Sequence, residues 1–69
     1  MQRTIKIDGM NCAHCAGSVK MALKDIPGIT NVDVNVRAGQ ATVEGSGFDD
    51  EDLRQAVEDE GYTVTGIHG

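Results

Sequence analysis

Asn31-Val32-Asp33-Val34-Asn35-Val36, followed after Arg37-Ala38-Gly39 by Gln40-Ala41-Thr42-Val43-Glu44, is the stretch on which the fold turns. In its first part Val32, Val34 and Val36 alternate with Asn31, Asp33 and Asn35, which gives an extended chain one apolar and one polar face. In its second part Ala41 and Val43 alternate with Thr42 and Glu44. A short connection carrying a glycine makes the two strands a hairpin. Upstream, Ile5 and Ile7 share one face of a strand from Arg3 to Asp8, and Gly9 ends it. Ala16, Val19, Leu23 and Ile26 then recur at helical spacing, with Ser18, Lys20 and Lys24 facing outward, until Pro27-Gly28 stops the helix. Downstream, Gly45-Ser46-Gly47 breaks the pattern and Asp49 or Asp50 caps a second helix with Leu53, Ala56 and Val57 as its apolar stripe. Its first turn carries Asp50, Glu51 and Asp52, where the helix dipole favours negative charge. Gly61 stops it, and Tyr62 to Ile67 reads as a fourth strand. The order β-α-β-β-α-β predicts an α+β, ferredoxin-like domain over residues 1–69: a four-stranded antiparallel sheet with two helices on one face.

Composition narrows the function. The formal charge is −5, and Asp49, Asp50, Glu51, Asp52, Glu58, Asp59 and Glu60 lie in one short segment. Such a chain repels phosphate backbones and anionic lipid, which argues against nucleic-acid or membrane-surface binding. No apolar run approaches the roughly 20 residues that span a bilayer. Gln2, Arg3, Thr4 and Lys6 also interrupt any apolar leader, so a cytoplasmic location is expected. In that reducing compartment a cysteine pair favours metal binding or redox work over a structural bridge. Phe48 and Tyr62 are the only aromatics, so the core must come from aliphatic side chains and Met.

The chemistry starts at Gly9-Met10-Asn11-Cys12-Ala13-His14-Cys15, which holds both cysteines at CxxC spacing where a strand gives way to a helix. Two thiols cannot close the four-ligand shell of a structural zinc site. Three residues apart at a helix start, they can converge on one ion, and the first helical turn favours their thiolates. Thiolate pairs select soft ions: Cu(I), with Ag(I) or Hg(II) as surrogates. A two-sulfur Cu(I) site leaves room for a partner's sulfur, which points to transfer and not to storage. The competing readings are a dithiol oxidoreductase of the thioredoxin kind, and a local disulfide. Against the first stand the short chain, the absence of tryptophan and the lone proline at Pro27. Against the second, a bridge across so short a loop constrains little.

The segment resembles the GMxCxxC signature of the heavy-metal-associated domain family, and Gly61-Tyr62 resembles its second, glycine-aromatic landmark. The resemblance covers the whole chain. It implies a free-standing bacterial copper chaperone or, alternatively, an amino-terminal domain of a copper-transporting P-type ATPase; mercury- and zinc-binding relatives are further alternatives. On this resemblance Cys12 and Cys15 are the metal ligands, Met10 packs under the loop, and Tyr62 shields the metal. Tyr62 also leans towards a bacterial or archaeal source, since many eukaryotic chaperones carry lysine there. His14 separates the chain from the CAAC of mercury-binding relatives. It is expected as an exposed loop residue that can lower thiol pKa when protonated or ligate in a metal-bridged homodimer. Asn11 stands where zinc-transporting members often carry an acid, which favours monovalent copper. His68 is expected to be inert. The implied partner is the CxxC metal-binding domain of a copper-transporting P-type ATPase. Lys20 and Lys24 are expected to lie nearer to the cysteines than the acidic second helix, and so to form the contact face.

Overall fold

A computed structural model describes Met1 through Gly69. Its elements are β1 (Gln2–Asp8), α1 (Ala13–Lys24), β2 (Ile29–Asn35), β3 (Gln40–Gly45), α2 (Asp50–Asp59) and β4 (Thr63–His68). The strands form one antiparallel sheet in the order β2-β3-β1-β4. Both helices lie on one face of it, the ferredoxin-like arrangement expected from the sequence. Alternation supplies the core: Ile5, Ile7, Val32, Ala41 and Val43 from the sheet meet Val19 and Leu23 of α1 and Leu53 and Val57 of α2. Met10 and Phe48 complete the cluster, and no polar side chain is buried in it.

Both edge strands are bulged, and the bulges solve a spacing problem. Ile29 and Val32 are three residues apart, as are Val64 and Ile67, an odd spacing that would put each pair on opposite faces of a regular strand. In β2 the pairing steps from Ile29↔Gly45 to Asn31↔Glu44, leaving Thr30 as the extra residue. In β4 it steps from Ile7↔Val64 to Lys6↔Gly66, leaving Thr65 extra. Each bulge therefore turns both members of its pair onto the core.

Element ends differ from the sequence pattern in three places. Helix α1 stops at Lys24 with Asp25 as its cap, so Ile26 packs on the core from the following turn. The residue before a proline is disfavoured in the helical region, and the Ile26 N–H closes back on the Leu23 carbonyl at 3.2 Å. Val36 falls outside β2, because the Asn35 carboxamide oxygen accepts from the Ala38 N–H at 3.1 Å and turns the chain there. Tyr62 precedes β4. The α2 cap is Asp49, which forms a reciprocal capping box with Asp52 at 3.0 and 3.2 Å. Phe48 and Leu53, flanking that box, occupy the two positions of a hydrophobic staple, and both are buried.

Because β1 and β3 run antiparallel, the helices that follow them also run in opposite senses. The start of α1 and the end of α2 consequently share one end of the molecule. Asp8 pairs with Thr63 at that end, which sets Gly9 beside Tyr62.

Candidate metal centre

Gly9 carries the chain out of β1 with φ +90°, and a Cβ placed there would stand 3.7 Å from Tyr62 Cδ1. Met10 then turns inward and is 3% exposed, so it lies in the core beneath the loop. Asn11 is exposed. Cys12 is the N-cap of α1, in extended conformation at φ −147° and ψ 161°. Its carbonyl accepts from the Ala16 N–H at 3.1 Å, and its Sγ accepts from the Cys15 N–H at 3.2 Å. A sulfur thus takes the place that an oxygen of Ser or Asp fills at most helix starts. Cys15, one turn on, is half-buried and packs against the core. Both cysteines are free thiols.

The electrostatics of this end favour thiolate. The first turn of α1 contains no acidic residue, whereas that of α2 contains Asp50, Glu51 and Asp52. The positive end of the α1 dipole is left for the sulfurs. The Cys15 thiol is held below its ordinary pKa, first by hydrogen bonding with Cys12 and then by hydrogen bonding with the Tyr62 phenol; partial burial opposes both. Tyr62 is pushed up to about 12, chiefly by the same bond to Cys15, then by desolvation and by the negative charges of Cys15, Cys12 and Glu60. The phenol therefore stays a donor wherever Cys15 is a thiolate. Tyr62→Phe removes that donor, so the Cys15 pKa is expected to rise. The pH midpoint of its iodoacetamide alkylation should move upward and its rate at neutral pH should fall; an unchanged midpoint would separate the phenol from the thiol.

No third His, Cys, Asp or Glu side chain joins the pair to make a larger ligand group. His14 is exposed in the first turn of α1 and lines a shallow groove with Ala13, Gly17, Ser18, Lys20 and Met21. It is not among the groups that shift Cys15. His68 pairs with Thr4 at the opposite end of the sheet from the Asp8–Thr63 pair. Glu60 acts on Tyr62 directly, while Lys24 stands nine residues beyond Cys15, or about 13 Å of helical rise. The end of α2 therefore brings an acid to the cysteine end of the molecule, where the two lysines were expected to be the nearer charges. Glu60 and the Gly9–Tyr62 packing were missed in the sequence, although the antiparallel helices of the expected fold, with Glu60-Gly61-Tyr62 in line, carry the signal for both.

The profile of the heavy-metal-associated domain family matches residues 4–63. The copper chaperone CopZ of Staphylococcus aureus is 38% identical over 68 residues, covering 91% of this chain and 96% of that protein. Among solved structures, a CopZ metallochaperone superposes with a TM-score of 0.91 at 36% identity, over 94% of this chain and 100% of the other. A copper binding domain from HMA7, a P-type ATPase, gives 0.90 at 28% identity, over 100% and 96% of the two chains.

Proposed function

The chain belongs to the heavy-metal-associated domain family, and on that premise we propose that it is a cytosolic Cu(I) carrier without enzymatic activity. Cys12 and Cys15 hold the ion and pass it to the CxxC domain of a copper-transporting P-type ATPase. The observation that carries this reading is a pair of thiols at an unneutralised helix start with no third ligand group beside it. Two sulfurs satisfy Cu(I) but leave Zn(II) short of its usual four ligands. The open side admits a thiolate from the recipient as a third ligand, after which one of the carrier's sulfurs leaves. Each intermediate keeps the ion bound to at least two sulfurs, so it is never released to water.

The HMA7 likeness favours a second reading, in which the same chain is an ATPase amino-terminal domain with the same metal chemistry. Copper-loaded chain mixed with an apo recipient domain carrying its own CxxC should transfer its ion. Transfer should slow when Lys20, which borders the groove beside the loop, is reversed to Glu. Reversing Asp50 and Glu51, at the end of α2 remote from the cysteines, should change the rate less. A larger effect from the acids would assign the contact to the wrong helix.

A further inference from the structure

We propose that Gly61 is a positioning residue of the cysteine site: its left-handed backbone closes α2 and lays the Tyr62 ring against the cysteine loop. The role in copper retention rests on the Cu(I)-carrier reading. Helix α2 ends at Asp59 with Glu60 still right-handed, and Thr63 already pairs with Asp8. The chain must therefore pass from helix to strand within Gly61-Tyr62. Gly61 makes that turn at φ +94°. Its N–H donates to the Glu58 carbonyl at 2.9 Å, and the Tyr62 N–H reaches back to the Val57 carbonyl at 3.4 Å. These are the two bonds that close a helix on a left-handed residue, and a contact between the side chains at the Tyr62 and Val57 positions commonly seals them. Val57 is fully buried, and Tyr62 packs against the same core cluster.

Tyr62 is thereby held at three points. Its N–H is tied to α2, its neighbour Thr63 to β1, and its ring lies where a Cβ on Gly9 would stand 3.7 Å from Cδ1. An L-residue at 61 finds the left-handed region costly. A Cβ there would meet no atom within 4 Å, so backbone strain alone opposes a side chain, with no crowding added. The chain relieves that strain by rotating at 61, which takes the Tyr62 N–H off Val57 and swings the ring off Gly9. The sulfurs then lose cover on that flank, and a competing ligand for Cu(I) gains access to it. Gly47 supplies a matched comparison. Its φ is +83°, its Cβ is equally open, and it precedes α2 at the end remote from the cysteines.

In the metal-free full chain, NMR cross-relaxation between the Tyr62 ring and the Gly9 Hα protons reads the placement directly. The signal is expected in the parent and in Gly47→Ala, lost in Gly61→Ala, and kept in Gly61→Asn, because asparagine tolerates the left-handed region. Loaded with Cu(I) and challenged with excess chelator, Gly61→Ala should release its ion roughly 2–10-fold faster than the parent, the worth of one lost hydrogen bond. Gly47→Ala and Gly61→Asn should release at the parent rate. Tyr62→Ala should speed release at least as much as Gly61→Ala, and combining the two should add nothing further. A Gly9–Tyr62 signal that persists in Gly61→Ala, its loss in Gly47→Ala, equal acceleration by Gly47→Ala, or additive effects in the double variant would overturn the assignment. So would a Gly61→Ala chain that no longer folds. The metal-free signal separates the two readings: a parent that fails to hold Cu(I) would overturn the carrier reading, whereas the placement of Tyr62 by Gly61 is decided by the NMR comparison alone.

Discussion

With Cys12→Ser and Cys15→Ser combined, tight Cu(I) binding is expected to vanish while the domain still unfolds cooperatively, within about 1 kcal/mol of the parent. The two halves of that expectation come from different facts. Binding is lost because serine hydroxyls are hard, neutral donors that do not replace thiolates for a soft ion. Stability is kept because neither sulfur belongs to the buried cluster: Cys12 is exposed and Cys15 only packs against its border. Serine is moreover a good N-cap, so Cys12→Ser preserves the bond to the Cys15 N–H with oxygen in place of sulfur. Chelator competition measures the binding and urea titration the stability. Retained tight binding would move the ligands elsewhere, and collapse of the fold would make the cysteines structural.

The second large effect lies at the other end of the molecule. Gly28→Ala is expected to cost roughly 2–4 kcal/mol, from left-handed strain together with a steric clash. Gly28 has φ +96°, and a Cβ on it would collide with the Ser46 carbonyl. That carbonyl has little freedom to retreat. The Ser46 N–H donates to the Gly28 carbonyl at 3.0 Å, and the adjacent Gly45 N–H donates to the Met1 carbonyl at 3.0 Å. In a domain of this size the loss corresponds to a fall in Tm of roughly 10–30 °C by calorimetry. Gly47→Ala is the control: its φ is +83° but its Cβ would meet nothing, so it should cost only roughly 1–2 kcal/mol. Equal losses at the two positions would remove the clash from the explanation.

The pattern of the sequence carried the architecture because each strand declares its inner face by alternation. Val32 and Val43 read as core and are core, as do Leu53 and Val57. What escaped were features that alternation cannot express. Thr30 and Thr65 look like ordinary strand residues. Only the three-residue spacing of Ile29 to Val32 and of Val64 to Ile67 hints that each strand must bulge to bury both members. The apolar pattern of α1 begins at Ala16 and places the two cysteines only loosely at the helix start, whereas the structure makes Cys12 the cap and takes Cys15 into the first turn. That difference matters chemically, since a capping sulfur sits on the helix axis where the dipole is felt most. The burial of Phe48 was legible in principle from Phe48-Asp49 followed by Asp52-Leu53, the spacing of a staple around a capping box.

At the cysteine end, local sequence located the thiols and resemblance supplied the neighbouring residues, but charge placement required the topology. The acids of α2 read as one block, yet the helix carries Asp50 away from the sulfurs and delivers Glu60 to Tyr62. Lys20 and Lys24 likewise read as a pair, although α1 runs away from the loop and takes Lys24 with it. A charge is near a site when the chain direction brings it there, and direction follows from strand pairing.

The central claim is that two thiolates with no third ligand make a Cu(I) carrier. Its most direct test offers the apo chain equal Cu(I) and Zn(II) in excess glutathione and weighs the product by native mass spectrometry. One Cu(I) per chain with no zinc is expected, and that copper should be absent from the Cys12→Ser, Cys15→Ser variant. A chain that emerges loaded with Zn(II) would contradict it.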